Sequence, residues 1–171
     1  MSYWTGRENL NYYARARELA DEYCPQGRTL LDVGGAVLAG AKYLNRFERF
    51  HRTSVELSKG EGELPGVTVY RQNFLEWTPP QHRFDLVLCL QVLEHLKDET
   101  IPQFIEKLLG IGKVLIVSVP HVWPSTAEPG HLQDPINVEK FRGWWPDEPA
   151  ILELVPEYGK KLKRIIAVFN C

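Results

Sequence analysis

Residues 28–44, RTLLDVGGAVLAGAKYL, constrain this chain more than any other stretch: an apolar run ends on an acid, meets two glycines and passes into a helical pattern. Thr29, Leu30, Leu31 and Val33 read as a strand buried on both faces, with Asp32 at its carboxyl end. Gly34 and Gly35 supply backbone angles that a side chain resists, and the helix predicted after them covers Leu38–Phe50. In an open α/β sheet, the crevice beyond such a strand end is where ligands bind. A glycine turn can also serve packing alone, so a second acid matters. Glu56, in the predicted strand Arg52–Leu57, lies 56 − 32 = 24 positions after Asp32, near the ~20 expected of an acid that binds ribose hydroxyls.

Strands and helices alternate along the rest of the chain. Glu8–Tyr23 has helical apolar spacing and ends before Pro25 and Gly27. Strands are predicted at Val67–Arg71, Phe84–Leu90 and Lys113–Val119, and helices at Val92–Leu96 and Ile101–Leu109, the latter stopped by Gly110 and Gly112. This order predicts a doubly wound, mostly parallel α/β sheet. Ile151–Val155 and Arg164–Phe169 read as a hairpin through Pro156, Tyr158 and Gly159, which reverses the last strand. Residues 121–135 are rich in Pro and Gly and too long for a routine connection, so they read as a functional loop that orders on ligand binding. Asp134 reads as an N-cap, with Pro135 opening a helix over Ile136–Trp145.

Composition fits one domain over 1–171: an N-terminal cover helix (1–27), a core (28–119), a substrate-side loop and helix (120–145) and a C-terminal hairpin (146–171). A net charge of −2 gives no global basic field, which argues against a protein built around long tracts of nucleic acid while leaving a local basic patch open. Cys24, Cys89 and Cys171 lack metal or redox spacing and read as reduced thiols. With no signal-like or membrane-length apolar run, a soluble, cytoplasmic protein is expected, with no membrane partner.

The order Asp32-Val-Gly34-Gly35, Glu56, Asn73-Phe74 and Phe84-Asp-Leu-Val-Leu-Cys-Leu-Gln-Val-Leu-Glu-His95, followed by Ser118-Val-Pro120, resembles the class I S-adenosylmethionine-dependent methyltransferases. Ala36 and Leu38 stand where that family carries further glycines. The resemblance implies a seven-stranded sheet with its last strand reversed, S-adenosylmethionine as cofactor, and methyl transfer as the activity. It also implies roles: Asp32 anchors the loop near the cofactor's amino-acid end, and Gly34, beside Gly35, lets the backbone approach. Glu56 holds the ribose diol, Asn73 and the Phe74 backbone face adenine, and Leu90 and Gln91 border the methionine portion.

His121 and His131 are the candidate catalytic bases, each placed near the transferable methyl, against the plainer readings of an exposed loop histidine and a histidine bonded to Asp134. Glu94-His95 resembles the pair that small-RNA 2′-O-methyltransferases use at a metal, completed there by a later histidine. Because Gln91 stands at the first acidic position of that pattern, no metal ligand is assigned here. Tyr3, Trp4, Tyr12, Tyr13, Trp123, Trp144 and Trp145 are candidates for an acceptor pocket or for core packing. The expected partner is a small-molecule or exposed O/N acceptor. An RNA 2′-O-methyltransferase, a non-catalytic adenosylmethionine-binding module and a nucleotide-dependent oxidoreductase are the alternatives.

Overall fold

The computed structural model describes residues 9–35, 41–57, 64–125, 128–157 and 162–171. Strands β1 (Thr29–Val33), β2 (His51–Val55), β3 (Val67–Tyr70), β4 (Phe84–Leu90), β5 (Gly112–His121), β6 (Ile151–Pro156) and β7 (Lys163–Asn170) form one seven-stranded sheet in the order β3-β2-β1-β4-β5-β7-β6. The pairs from β3 to β5 are all parallel. β7 runs antiparallel to both β5 and β6, so the reversed last strand is wedged inside the sheet rather than left at its edge. The doubly wound α/β architecture expected from the sequence is the one observed.

Two apolar layers explain the continuous hydrophobic runs of the central strands. Val87, Cys89, Leu115, Val117, Ile165 and Ala167 face one layer, while Leu86, Leu88, Ile116, Ile166 and Val168 face the other. Successive side chains point to opposite faces, and both faces are covered, so nearly every position must be apolar. Helix α2 (Ile101–Ile111) covers the first layer with Ile101, Phe104, Ile105, Leu108 and Ile111, and α1 (Asn11–Tyr23) covers the second with Tyr12, Ala16, Leu19 and Ala20. Both sets follow the three-and-four spacing of one helical stripe.

Several expected helices are shorter or tighter. In place of a helix reaching Phe50, a 3-10 segment spans Ala41–Phe47. Leu44 and Phe47, three apart and fully buried, fall on one row in that geometry, and the chain turns at Phe50 so that the His51 N–H can donate to the Arg28 carbonyl at 2.7 Å and open β2. Val92–Leu96 is a single 3-10 turn, Leu93–His95, because Gln91 leaves β4 in a left-handed conformation and Leu96 is already extended. The helix expected over Ile136–Trp145 is α3 (Val138–Arg142). Its cap is Asn137, whose side-chain oxygen accepts from the Lys140 N–H at 2.7 Å, and not Asp134, whose carboxylate is taken by His131. α2 runs through Gly110, which has open space around it, and stops at Gly112. Glu8, Ala36, Leu38, Tyr158 and Gly159 lie outside the described residues. Among the described residues no helix is long and apolar enough to cross a membrane, and all three cysteines are free thiols.

At the amino edge of the sheet, the Asp85 carboxylate ties three central strands together. It accepts from the Arg28 and Thr29 N–H groups, the Thr29 hydroxyl and Lys113 Nζ at 2.7–3.2 Å. The Lys113 ammonium and the backbone donors hold its pKa well below the usual carboxylate range. Its stabilisation is therefore complete above the unfolded pKa of about 4 and is lost as pH falls through the depressed folded value. Asp85→Asn should cost ~1–2 kcal/mol at pH 7, the lower end reflecting partial exposure. The deficit should narrow below about pH 4 as Asp85 of the unfolded wild type protonates, as urea denaturation at pH 7 and pH 3 would record.

Candidate active site

A cavity of about 740 Å³ opens at the carboxyl edge of the sheet, beyond β1, β2 and β4 and beside the start of β7. That is the size of a small-molecule site. Gly34, Gly35, Glu56, Asn73, Phe74, Leu90 and Gln91 line it, whereas Asp32 lies behind the wall, fully buried. Gly34 has a positive φ of 74°, donates its N–H to the Val55 carbonyl at 2.8 Å, and leaves no room for a Cβ, which would come 2.7 Å from Val92. Only glycine turns there without strain.

Asp32 shapes this corner from within. Its carboxylate accepts from the Tyr43 hydroxyl at 2.6 Å and the Ser54 hydroxyl at 3.0 Å, joining β1 to the 3-10 segment and to β2. A Cβ on residue 35 would strike the Asp32 oxygen at 1.7 Å, so Gly35 is required by the acid beside it. Burial pushes the Asp32 pKa up to about 7; the two hydroxyl donors oppose the rise and the nearby Glu56 charge adds to it. Tyr13 stacks on Tyr43 with ring centres 4.2 Å apart, fixing the phenol that reaches Asp32.

Glu56 sits just past β2, its N–H donating to the Tyr70 carbonyl at 2.9 Å. Asn73 turns its carbonyl oxygen inward to accept from the Leu75 N–H at 3.0 Å, so it caps its own turn. Phe74 is buried, packed against Phe104 at 4.9 Å with the Lys107 ammonium over its ring.

At the other end of the cavity, the 3-10 turn after β4 carries Glu94 and His95, and the loop after β5 returns to bring in His131. Glu94 and His95 each lie beside His131, with one potential ligand atom from each of the three all within 4.8 Å of one another. The Glu94 carbonyl accepts the N–H groups of Leu132 and Gln133 at 2.7 and 3.2 Å, which pins the loop against the turn. His95 Nδ1 meets the Gly130 carbonyl at 3.0 Å, and His131 Nδ1 meets Asp134 Oδ2 at 2.6 Å. Both partners only accept, so each Nδ1 carries a proton, and in the neutral imidazole Nε2 is then the site of the lone pair. Burial lowers the His95 pKa, which favours that neutral form.

Of the two candidate bases, the structure brings His131 to the cavity and leaves His121 off its lining. His121 ends β5 opposite Lys163, and burial followed by that positive charge lowers its pKa. Tyr12, Tyr13 and Trp123 line the cavity. Trp144 packs on Phe141 and Trp145 stacks on Phe169 at 4.1 Å, away from it, while Tyr3 and Trp4 lie outside the described residues. Sequence reasoning did not single out Glu157 or Arg164, which also line the cavity. It assigned no metal ligands. The His131-x-x-Asp134 spacing was the available signal, since it pairs an imidazole with an orienting acid.

A family model described as a methyltransferase domain matches residues 3–160. The chain belongs to this family. Membership makes this a methyltransferase domain of the adenosylmethionine-dependent kind, and its motif residues gather along the crevice. Small RNA 2′-O-methyltransferase of Arabidopsis thaliana is 35% identical over 69 residues, which are 39% of this chain and 7% of that protein. Among solved structures, the Burkholderia thailandensis 1,6-didemethyltoxoflavin-N1-methyltransferase superposes with a TM-score of 0.69 at 15% identity, covering 92% of this chain and 77% of that one. Small RNA methyltransferase HEN1 superposes with a TM-score of 0.68 at 21% identity, covering 99% of this chain and 26% of that one. At these identities the structural likeness speaks for the fold.

The methyltransferase's buried acid carries a pH signature. Because the Asp32 pKa is raised on folding, the stability it contributes is full below its unfolded pKa of about 4 and is lost as pH rises through about 7. Above pH 7 the ionised carboxylate leans on its donors, so Tyr43→Phe should cost ~1.5–3 kcal/mol at pH 8 and distinctly less at pH 5. Thermal unfolding at the two pH values is the measurement.

Proposed function

We propose that this methyltransferase transfers the methyl group of S-adenosylmethionine to a hydroxyl oxygen held beside a divalent cation, and that the hydroxyl is the 2′-oxygen of the 3′-terminal ribose of an RNA. The observation that carries the reading is the Glu94, His95 and His131 cluster, with both imidazoles fixed to present Nε2. The donor set fits a divalent ion: two neutral imidazoles and one carboxylate suit a borderline to hard metal, and three protein ligands leave positions for substrate oxygens. Asp134 behind His131 and the Gly130 carbonyl behind His95 are the outer partners such ligands require. The Arabidopsis relative, whose name gives small RNA and the 2′-oxygen, supports the acceptor.

This revises the expectation of a metal-free reaction and moves His131 from base to ligand. Gln91 replaces one acid of the small-RNA pattern. Its amide nitrogen donates to the Ser118 hydroxyl at 3.0 Å, a bond that leaves its carbonyl oxygen available as a neutral donor at the cavity wall.

The chain's own residues bind, orient and exclude. Glu56 holds the ribose diol of the cofactor, Asn73 and Phe74 border its adenine, and Gly34 lets the methionine portion approach the backbone. Glu94, His95 and His131 would hold the divalent ion, which would supply Lewis acidity toward the acceptor hydroxyl. Held in line, that oxygen gives its proton to solvent and attacks the methyl carbon, forming the O–C bond as the C–S bond breaks and S-adenosylhomocysteine leaves as a neutral thioether; near-attack geometry supplies much of the acceleration. An exposed terminal ribose also suits a protein without a basic field.

The test is methylation of a short single-stranded RNA, with the product mapped by mass spectrometry. Activity should require a 2′-hydroxyl on the last nucleotide, vanish with a chelator and return with added divalent metal. Asp134→Asn should weaken metal binding ~10–100-fold, since it removes only the group that orients His131. Chelator-resistant turnover on a small molecule would restore the expectation of a metal-free reaction. Independently, Glu56→Ala should weaken S-adenosylhomocysteine ~10–100-fold in calorimetry, because the ribose hydroxyls lose a charged partner.

A further inference from the structure

Arg164 is a buried guanidinium with unspent donors. It opens β7 opposite Pro120 of β5, is only 5% exposed, and nevertheless lines the cavity. Its Nε donates to Glu157 Oε1 at 3.1 Å, and among the described residues neither Nη group donates a hydrogen bond. Two aromatic rings pack on the group, Tyr12 with its centre 4.6 Å from Cζ and Trp123 with its centre 4.8 Å away. A guanidinium so clamped has lost its freedom before a ligand arrives, and its remaining donors form a fork suited to phosphate or carboxylate oxygens.

The surroundings are arranged for that fork. Trp123 is shared, with Arg164 over its ring and the His131 imidazole stacked at 6.1 Å. Val122, just before it, is held at a φ of 53°, an outlier for a β-branched residue, and donates its N–H to the Ile136 carbonyl at 2.8 Å. Such strain persists only where surrounding contacts impose it. Glu157 engages Nε alone, and its other oxygen accepts from the Asn11 N–H at 3.2 Å, so it orients the guanidinium without closing the fork.

Position along the sheet separates this feature from the cofactor. The motif residues lie over β1, β2 and β4; the Glu94, His95 and His131 cluster follows β4 and β5; Arg164 stands one strand further, on β7. We propose that Arg164 is the anion subsite of the acceptor pocket, binding through Nη1 and Nη2 the phosphodiester that precedes the reacting nucleoside. The inference rests on the RNA reading above. Arg164 is also the one lysine or arginine on the described cavity lining, beside the carboxylates of Glu56, Glu94, Glu128 and Glu157, so a phosphate entering the cavity has one place to be neutralised.

The test uses the full chain saturated with S-adenosylhomocysteine and two fluorescent dinucleotides, one with a natural terminal phosphodiester and one with an uncharged methylphosphonate. Wild type should bind the charged probe ~10-fold or more tightly than the neutral one, as charge-assisted hydrogen bonds allow. Arg164→Gln should equalise the two and Arg164→Lys should restore part of the preference. Because Arg164→Gln strands a buried Glu157, the double change Arg164→Gln, Glu157→Gln provides a neutral pair should the single variant fail to fold. Unchanged S-adenosylhomocysteine affinity in these variants is expected. A loss of that affinity would assign the fork to the cofactor's carboxylate and overturn the proposal. Equal binding of the two probes by wild type, or no binding of either, would also overturn it. A phosphate preference that depends on Arg164 in an enzyme that fails to methylate RNA would uphold the subsite and reject only the acceptor.

Discussion

The cavity depends on a carboxylate buried, among the described residues, without a cation beside it. Asp32 spends its charge on two hydroxyls, Tyr43 and Ser54, and through them fixes the 3-10 segment and β2 relative to β1. The same oxygen that binds Ser54 excludes any side chain at position 35, and the turn it enforces brings the Gly34 N–H onto Val55. Glu56, the next residue but one after Ser54, thereby stands at the crevice with its backbone held by β3. An apolar residue at position 32 would pack as well in the core, but it would leave Tyr43 and Ser54 as buried donors without acceptors, a cost of ~1–3 kcal/mol for each group left unsatisfied.

The sheet and the end of the cavity lined by Gly34, Glu56 and Asn73 were legible in the sequence because both rest on local patterns. Continuous apolar runs announced central strands, and the terminal pair of such runs announced the reversal that places β7 antiparallel to β5. The Asp32-x-Gly34 and Glu56 spacing is a property of one βαβ unit, so reading it required no knowledge of how distant segments meet. Asn73 shows the limit even there: its amide belongs to its own turn as well as to the cavity, a division that residue type does not reveal.

The other end of the cavity was less legible for a physical reason. Its groups come from four separate segments, the turn after β4, the loop after β5, α1 and the start of β7, and only the tertiary fold decides which of them converge. His121 and His131 looked equivalent as loop histidines. They part because β5 continues to His121 in register with Lys163, whereas His131 is carried back over Glu94 by two backbone bonds and a Gln133 side chain that reaches the Leu96 carbonyl and Asp98. Arg164 was hidden by its place in an apolar strand pattern, where a single charged residue at the strand start reads as an exposed edge.

The charge pattern of the cavity limits how the reaction can proceed. On the described lining Glu56, Glu94, Glu128 and Glu157 outnumber the one guanidinium, and a lining of this charge would favour a cationic sulfonium over the neutral thioether that remains after transfer. Such preference aids cofactor binding and product release, but it stabilises the ground state as charge is being lost from sulfur, and interactions stronger in the ground state do not speed the chemical step. The carboxylate nearest the acceptor end, Glu94, would also oppose ionisation of an approaching hydroxyl. On the proposed reading, a divalent cation held by Glu94, His95 and His131 would more than offset that carboxylate's charge and would stabilise negative charge on the acceptor oxygen. The acidic lining thus suits capture of a cationic cofactor, and under that proposal the two imidazoles beside Glu94 would let the acceptor end reverse its sign.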